Sequence, residues 1–344
     1  MASDIHTNWT NCINQTNFVF ESSTTVAFKL IVAFLLVIVI SCIFCGNILV
    51  LLAIWKESSL QLPQNYLIAS LALSDLLLSI LVLPISLVSA LTDDWVLGNT
   101  VCNIWISSDV FCCTASILNL CIISLDRYWA ITQHVNYMRK RTRKRMITMI
   151  IFVWLVALVI SITPLLGLRS TESNLKECII TQNKFYTIFS TFGAFFIPMT
   201  VMLVVYWRTF RKAMDHIHKQ SKFHPISARN SDSSFKKPNS AIKSMLCIGS
   251  TKQSLIIRRE RRATKTLCIV TGAFLISWLP FFITALILPF CSSCSLPQVW
   301  GSVFLWLGYS NSAVNPIIYT KFNKDFQHAF RKLLHLKQPT MDTV

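Results

Sequence analysis

The sequence predicts an all-α fold: a bundle of seven membrane-spanning helices, followed by a short amphipathic helix on the membrane surface. The chain has 344 residues, of which 53% are hydrophobic and only 14% are charged. Apolar stretches of about 18 residues or more with almost no charge are long enough to cross a bilayer as helices. Such stretches occur at about 28–55, 65–91, 101–131, 146–168, 185–208, 265–289 and 300–320.

The distribution of charge predicts how these spans are oriented. The formal net charge is +17, and the segment 211–265 holds 14 Lys or Arg against three acids. The segment 134–145 is basic and has no acid. Because cytosolic loops of membrane proteins carry the excess of Lys and Arg, both segments are predicted to be cytosolic and the N-terminus extracellular. The same basic residues can bind anionic lipid or a cytosolic protein, and this placement argues against a nucleic-acid partner.

Three further segments complete the predicted organisation of this plasma-membrane chain. Residues 1–27 are polar and lack the apolar core of a cleavable signal peptide. This tail contains glycosylation sequons at Asn8 and Asn14. The Ser- and Lys-rich loop 211–258 is predicted to be disordered. After the membrane domain, 28–322, the segment 323–344 begins with an amphipathic pattern typical of a helix lying on the membrane.

Five cysteines fall on the predicted outer side of the membrane. Cys12 lies in the outer tail, and the others are Cys102, Cys178, Cys291 and Cys294. The extracellular side is oxidising, so these residues can form disulfides there.

Asp109 is an ionisable residue inside an apolar span, and such residues are functional candidates because burying a charge in the bilayer is costly. It lies about 10 Å along the helix from Cys102. No Lys or Arg in any span is placed at that depth to neutralise it. An ammonium group on a ligand would satisfy the carboxylate, and the alternative is a carboxyl group that stays protonated.

Aromatic residues of two later spans support the ligand hypothesis. Their rings can surround an ammonium group through cation–π attraction and can stack on a flat ligand. Alone, such rings would more often be packing or lipid-facing residues. The residues are Trp278, Phe281, Phe282, Trp306 and Tyr309.

A second acid, Asp75, lies in the middle of the second span, and neutral polar residues occur inside other spans. A carboxylate with several neutral oxygens suits a small hard cation, or a network of ordered water. The polar residues are Asn47, Ser116, Asn311, Ser312 and Asn315.

The tripeptide Asp126-Arg127-Tyr128 lies at the opposite end of the third span from the candidate ligand site. Arg127 is about 27 Å along the helix from Asp109. One helix therefore connects an outer ligand site with a charged cytosolic end, which is the geometry expected of a signal transducer.

Together these motifs resemble the rhodopsin family of G-protein-coupled receptors over nearly the whole chain. The hallmarks are Gly46-Asn47, LALSD ending at Asp75, Asp126-Arg127-Tyr128, Trp154, Pro198, Trp278-Leu279-Pro280 and NPIIY at 315–319. Within that family the chain resembles biogenic-amine receptors, most closely type 1 serotonin receptors. The segments 109–132, 186–198 and 306–326 carry this likeness.

The resemblance implies roles for the matching positions. Asp109 would pair with the amine, and Cys102 would form a disulfide with Cys178. The pocket would be lined by Val110, Cys113, Thr114, Ile180, Ser190, Thr191, Ala194, Phe281, Phe282 and Tyr309. Sodium would bind at Asp75, Ser116, Asn311 and Ser312.

The resemblance also implies a switch near the cytosolic side. Arg127 would pair with Glu260 in the inactive form. The relay residues would be Ile117, Pro198 and Phe274, and the open form would be stabilised by Tyr206 and Tyr319, the last residue of the motif that begins with Asn315-Pro316.

The implied partners are serotonin, a G protein of the inhibitory class whose activation lowers cAMP, arrestin and a receptor kinase. Dopamine, octopamine, tyramine or a trace amine remain alternative ligands. An amine transporter or channel is a more distant alternative, because it would not explain the charged end at Arg127. An enzyme is not indicated, since the sequence offers no metal-ligand cluster, nucleophile–base spacing or phosphate-binding loop.

Overall fold

The architecture is a bundle of helices, as predicted. A computed structural model describes residues 2–92, 94–163, 178, 184–227, 269–291, 293–294 and 296–335, and within these ranges there is no strand. The first four spans are Val26–Lys56, within the helix Ala2–Lys56, and Asn65–Leu91, Gly98–Thr132 and Arg143–Ile162. The fifth span is Thr187–Lys212, within the helical stretch 184–227; the described part of the sixth is Ile269–Phe290, and the seventh is Gln298–Phe322.

Two spans belong to helices that extend beyond the apolar stretches that predicted them. The first span agrees with the predicted 28–55, but its helix already begins at Ala2, and no Pro or Gly precedes Gly46 to interrupt it. The helix of the fifth span continues to Ser227, so the first part of the loop predicted to be disordered is helical. Lys, Arg, Gln and Met are good helix formers, and a polar composition therefore does not end a helix. Residues 228–258 of that loop lie outside the described residues.

A π-helical turn interrupts the second span and another interrupts the fifth. They cover Leu78–Val82 and Phe192–Phe196. Each turn ends two residues before a proline, Pro84 in the second span and Pro198 in the fifth. Proline has no N–H group, so the carbonyl oxygen four residues earlier in the helix loses its usual hydrogen bond. A wider π-helical turn accommodates this loss. These turns rotate the helix segments that carry the candidate site.

The third span is the centre of the bundle, and of the candidate spans it is the most buried. The fourth span lies at the periphery, where Phe152, Leu155 and Val159 are exposed. Lipid tails replace water around a membrane bundle, so exposed apolar side chains mark the lipid-facing surface and polar groups must be satisfied inside.

Hydrogen bonds between spans hold the bundle together where polar side chains are buried. The indole Nε1 of Trp154 donates to Ser70 Oγ at 3.0 Å. Asn47 Nδ2 donates to the carbonyl oxygen of Ser312 at 3.2 Å. Lipid tails are as apolar as the side chains, so the hydrophobic effect does not drive these helices together. Hydrogen bonds between helices help to hold them instead.

Both outer cysteine pairs form disulfides. Cys102 at the outer end of the third span is joined to Cys178, with the two Cα atoms 5.8 Å apart. Cys291 is joined to Cys294, with Cα atoms 5.3 Å apart. The pairing of Cys102 with Cys178 confirms what the family resemblance implied. Asn8 and Asn14 lie in the first helix, where the structure does not describe their side chains.

A short helix, Lys324–Leu333, follows the seventh span and confirms the predicted amphipathic helix. Asn323 caps it by accepting a hydrogen bond from the backbone N–H of Asp325 at 3.1 Å. Phe326 faces inward and stacks on Tyr319, with ring centroids 5.7 Å apart. The apolar face of this helix therefore covers the inner end of the seventh span.

Candidate functional site

Asp109 lies on the third span, two helical turns inward from the disulfide at Cys102. The thiol of Cys113, one turn further along, donates to Asp109 Oδ1 at 3.3 Å. Within the described part of the chain, no ion pair to a Lys or Arg reaches this carboxylate. A thiol is a weak hydrogen-bond donor, so the carboxylate can still accept a much stronger hydrogen bond from a positively charged group.

Tyr309 of the seventh span lies beside Asp109. It belongs to a continuous cluster of aromatic rings, here called the aromatic wall, with Trp306, Trp278, Phe281 and Phe282. Its ring is 5.7 Å from that of Trp306 and 6.0 Å from that of Trp278, and both contacts are edge-to-face. Trp278 in turn lies 5.8 Å from Phe281 and 5.6 Å from Phe282. The structure therefore brings together all five predicted aromatic residues.

The wall extends to the fifth span through Phe195, a residue that the sequence did not single out. Phe195 is fully buried, and its ring stacks on that of Phe282 with centroids 4.1 Å apart. It belongs to the π-helical turn before Pro198. A run of aromatic residues just before a proline inside a span was the available signal, but the ring's direction depends on the irregular turn.

The remaining predicted pocket residues lie on the third and fifth spans. Thr191 and Ala194 are buried, whereas Ser190 is half-buried and donates to the carbonyl oxygen of Thr187 at 3.3 Å. Thr114 Oγ1 is buried and has no hydrogen-bond partner in the described part of the chain. Val110 is half-buried on the third span, and Ile180 lies outside the described residues.

Asp75 is fully buried and is the meeting point of three spans. Its Oδ1 accepts from Ser116 Oγ at 3.1 Å and from Ser312 Oγ at 2.9 Å. Its Oδ2 accepts from Asn315 Nδ2 at 2.8 Å. Asn311 Oδ1, also buried, has no hydrogen-bond partner in the described residues. Carboxylate, hydroxyl and amide oxygens are the donor set that a small hard cation prefers, so these residues fit sodium.

At the cytosolic end, Asp126 is held by two residues of the loop after the third span, and the sequence had not indicated either. Tyr137 Oη donates to Asp126 Oδ1 at 2.8 Å, and Arg141 Nε donates to the same oxygen at 2.9 Å. Arg141 also forms an ion pair with Asp126 through Nη2. Burial, together with the Asp126 carboxylate, raises the pKa of Tyr137, so this hydroxyl remains a donor at neutral pH.

The rest of the predicted switch lies partly within the described residues. Arg127 is buried next to Asp126, and Tyr128 is half-buried. Glu260 lies outside the described residues, so its pairing with Arg127 stays a prediction. Pro316, inside the seventh span, packs so closely against Gly46 that a Cβ at Gly46 would lie 2.9 Å from its Cγ.

The predicted relay residues lie between the aromatic wall and the cytosolic end. Ile117 and Phe274 are fully buried in one core. The Phe274 ring lies 6.1 Å from that of Phe195 and 6.5 Å from that of Trp278. Pro198 is buried as well. This packing gives a contiguous path from the aromatic wall toward the inner half of the bundle.

Comparison with known proteins identifies the family. Residues 46–319 match the 7 transmembrane receptor family (rhodopsin family). The chain belongs to this family. The receptor is therefore a multi-pass protein of the plasma membrane and not an enzyme, and the match disfavours the transporter or channel alternative.

The receptor is similar to serotonin receptors of type 1 along most of its length. It is 39% identical to 5-hydroxytryptamine receptor 1A-beta of Takifugu rubripes, over 95% of this chain and 97% of that one. It is 41% identical to the 1A-alpha receptor of the same organism, over 90% and 89% of the two chains. It is 39% identical to 5-hydroxytryptamine receptor 1B of Homo sapiens, over 95% and 91%. The predicted resemblance is confirmed.

The packing of Trp278 yields a prediction about Gly308. A Cβ at Gly308 would lie 2.7 Å from Cε3 of the Trp278 indole, and the ring cannot retreat because Tyr309 and Phe282 flank it. Gly308→Ala should therefore destabilise the receptor by about 1–3 kcal/mol, the usual cost of overpacking. The measurement is the thermal unfolding temperature of the purified receptor. Gly301→Ala is the matched control, since nothing lies within 4 Å of that position. Equal unfolding temperatures for the two variants would contradict the packing described.

Proposed function

We propose that the receptor is activated by serotonin and signals through the inhibitory class of G protein, lowering cAMP. The observation that carries this proposal is the Asp109 carboxylate. It lies in the membrane domain, has no cationic partner among the described residues, and stands beside an aromatic wall.

The chemistry of this surround fits a small protonated amine. One ammonium group supplies the single positive charge that the Asp109 carboxylate lacks. The rings of Tyr309, Trp278 and Phe281 present faces and edges that attract a cation and stack on a flat ring system. A neutral ligand would leave the carboxylate without a counter-charge.

The fifth span supports serotonin among the amines. It offers the hydroxyl groups of Ser190 and Thr191 beside the methyl group of Ala194. This set suits an indole with one hydroxyl better than a catechol with two, and the proteins it matches at 39–41% identity are named as receptors for 5-hydroxytryptamine. Dopamine, octopamine, tyramine and trace amines are the alternatives that the experiment below separates.

On the inner side, the proposal assigns G-protein contact to Arg127 and the surrounding basic loops. Asp126 is occupied by Tyr137 and Arg141, which fixes the loop after the third span beside Arg127. The inhibitory class, together with arrestin and a receptor kinase as further partners, is inferred from the likeness to type 1 receptors. Pairing of Arg127 with Glu260 in the closed form belongs to the same proposal.

Sodium at Asp75 is a further part of the proposal. Ser116 and Ser312 bring hydroxyl oxygens from two other spans to the carboxylate, and Asn311 of the seventh span has a buried Oδ1 without a hydrogen-bond partner in the described residues. A bound cation would neutralise Asp75 and tie the second, third and seventh spans together. An ion that favours one arrangement of these spans must oppose any ligand that favours the other, because the two equilibria are linked.

The first prediction of this proposal concerns ligand choice and Asp109. Serotonin should lower cAMP in cells expressing the receptor at lower concentration than dopamine, octopamine, tyramine or a trace amine. Asp109→Asn should weaken serotonin binding roughly 10- to 100-fold, because a hydrogen bond to a charged group contributes about 1.5–3 kcal/mol.

Radioligand binding and a cAMP dose–response at matched surface expression measure both effects. Asp94→Asn is the control, since Asp94 is an exposed acid on the outer side. The proposal fails if Asp109→Asn binds serotonin as tightly as the unmodified receptor. If another amine is more potent than serotonin, the amine site at Asp109 stands, but that amine and not serotonin is the ligand.

The second prediction concerns sodium. Raising sodium at constant ionic strength, with choline as the replacement cation, should lower serotonin affinity, and Asp75→Ala should abolish that effect. Ser79→Ala is the matched control, because Ser79 is buried in the same span and bonds only to the carbonyl oxygen of Leu76, at 2.7 Å. A sodium effect that persists in Asp75→Ala would place the ion elsewhere.

A further inference from the structure

Hydroxyl groups from three spans meet one helical turn above Arg127, and two of them belong to residues that no site described so far includes. They belong to Ser124 of the third span, Tyr206 of the fifth and Thr271 of the sixth. The Tyr206 Oη lies 2.8 Å from Ser124 Oγ and 2.7 Å from Thr271 Oγ1. Ser124 and Thr271 are both 2% exposed, so neither can turn to water instead.

The direction of these hydrogen bonds follows from the number of hydrogens available. Ser124 Oγ donates its single hydrogen to the carbonyl oxygen of Leu120 at 2.7 Å. It must therefore accept the bond from Tyr206, and Tyr206, having donated its own hydrogen, must accept from Thr271. The result is a directed chain from the sixth span, through the fifth, to the backbone of the third.

This chain links the sixth span to the third in the inner half of the bundle. Moving the inner end of the sixth span outward would break the bond between Thr271 and Tyr206. Water is scarce in a buried polar cluster, so each hydroxyl then needs another partner. Tyr319 offers one, because its hydroxyl is buried and has no hydrogen-bond partner in the described residues.

We propose that Ser124 and Thr271 are positioning residues that hold Tyr206 in the closed arrangement of the inner bundle and thereby set the receptor's basal activity. In the open form, where the family resemblance gives Tyr206 and Tyr319 a stabilising role, the bonds of Tyr206 to Ser124 and Thr271 would be lost. This inference rests on the proposed function only in that the receptor activates a G protein; it does not depend on which amine binds.

The inference predicts different effects for two residues that bond to each other. Thr271→Val keeps the side-chain shape but removes the donor to Tyr206, so only the closed arrangement loses a bond. Basal activity should rise roughly three- to tenfold, the effect of one net hydrogen bond on a two-state equilibrium. Tyr206→Phe removes the bonding hydroxyl from both arrangements and should not raise basal activity.

The experiment measures basal nucleotide exchange on reconstituted G protein, using the G protein on which the unmodified receptor is most active without ligand. Receptor amounts are matched by surface labelling before purification. Thr209→Val is the matched control. Thr209 is also 2% exposed and lies one turn from Tyr206, but its hydroxyl bonds to the carbonyl oxygen of Val205 in its own helix, at 2.7 Å.

The expected result is a rise for Thr271→Val and for Ser124→Ala, with Thr271→Ser and Thr209→Val close to the unmodified receptor. Ser124→Ala, which only removes an oxygen, keeps the test available if Thr271→Val does not fold. The double variant should rise less than the product of the single effects, because both act through Tyr206. Basal exchange by Thr271→Val and Ser124→Ala no higher than by Thr209→Val would overturn the inference.

A serotonin titration on the same preparations separates this inference from the proposed function. If the unmodified receptor ignores serotonin while Thr271→Val raises basal exchange, the ligand proposal fails and the inference holds. If serotonin activates the receptor but Thr271→Val changes neither basal exchange nor serotonin potency, the inference alone fails. If both the ligand proposal and the inference hold, the half-maximal serotonin concentration should be lower for Thr271→Val than for the unmodified receptor, because the open arrangement is more populated.

Discussion

The absence of water within a bilayer is the constraint on which the rest of this structure depends. A polar group inside a span must find its partner in its own helix, on another span or on a ligand. Asp75 finds three donors on the third and seventh spans. Asp109 accepts a hydrogen bond from the thiol of Cys113 and lies beside Tyr309, and no ion pair reaches it within the described residues. The two intramembrane acids therefore differ in role: one joins helices, and the other is available for a positively charged ligand.

The third span combines these functions because it lies at the centre of the bundle. It carries Asp109 near the outside, Ser116 at the level of Asp75, Ser124 one turn above the cytosolic end, and Asp126 at that end. Each of the last three bonds to a different element: the second span, the fifth span, and the loop that contains Tyr137. A ligand that changes the packing near Asp109 can thus alter several inter-helix bonds without any large movement of the third span itself.

Much of this arrangement could be predicted from the sequence, because the cost of burying charge makes each intramembrane acid conspicuous. Asp75 with its polar surround and the aromatic wall follow from residue type and depth, whereas the pairing of Cys102 with Cys178 was implied by the family resemblance. The partners missed were those whose role depends on side-chain direction. Phe195 faces Phe282 only because a π-helical turn rotates it, and Arg141 is one of several basic residues in its loop, with nothing in the pattern to favour it for Asp126. Ser124 and Thr271 are ordinary helix residues until Tyr206 joins them.

The central claim is that Asp109 recognises the charge of the ligand rather than its shape. The most direct measurement compares two serotonin derivatives that differ only in that charge: one ends in a trimethylammonium group and the other in a tert-butyl group of nearly the same size. Competition binding to the unmodified receptor should show the charged derivative binding about tenfold more tightly or better, as expected for a charge pair in a partly buried site. Equal affinities for the two derivatives would contradict the claim.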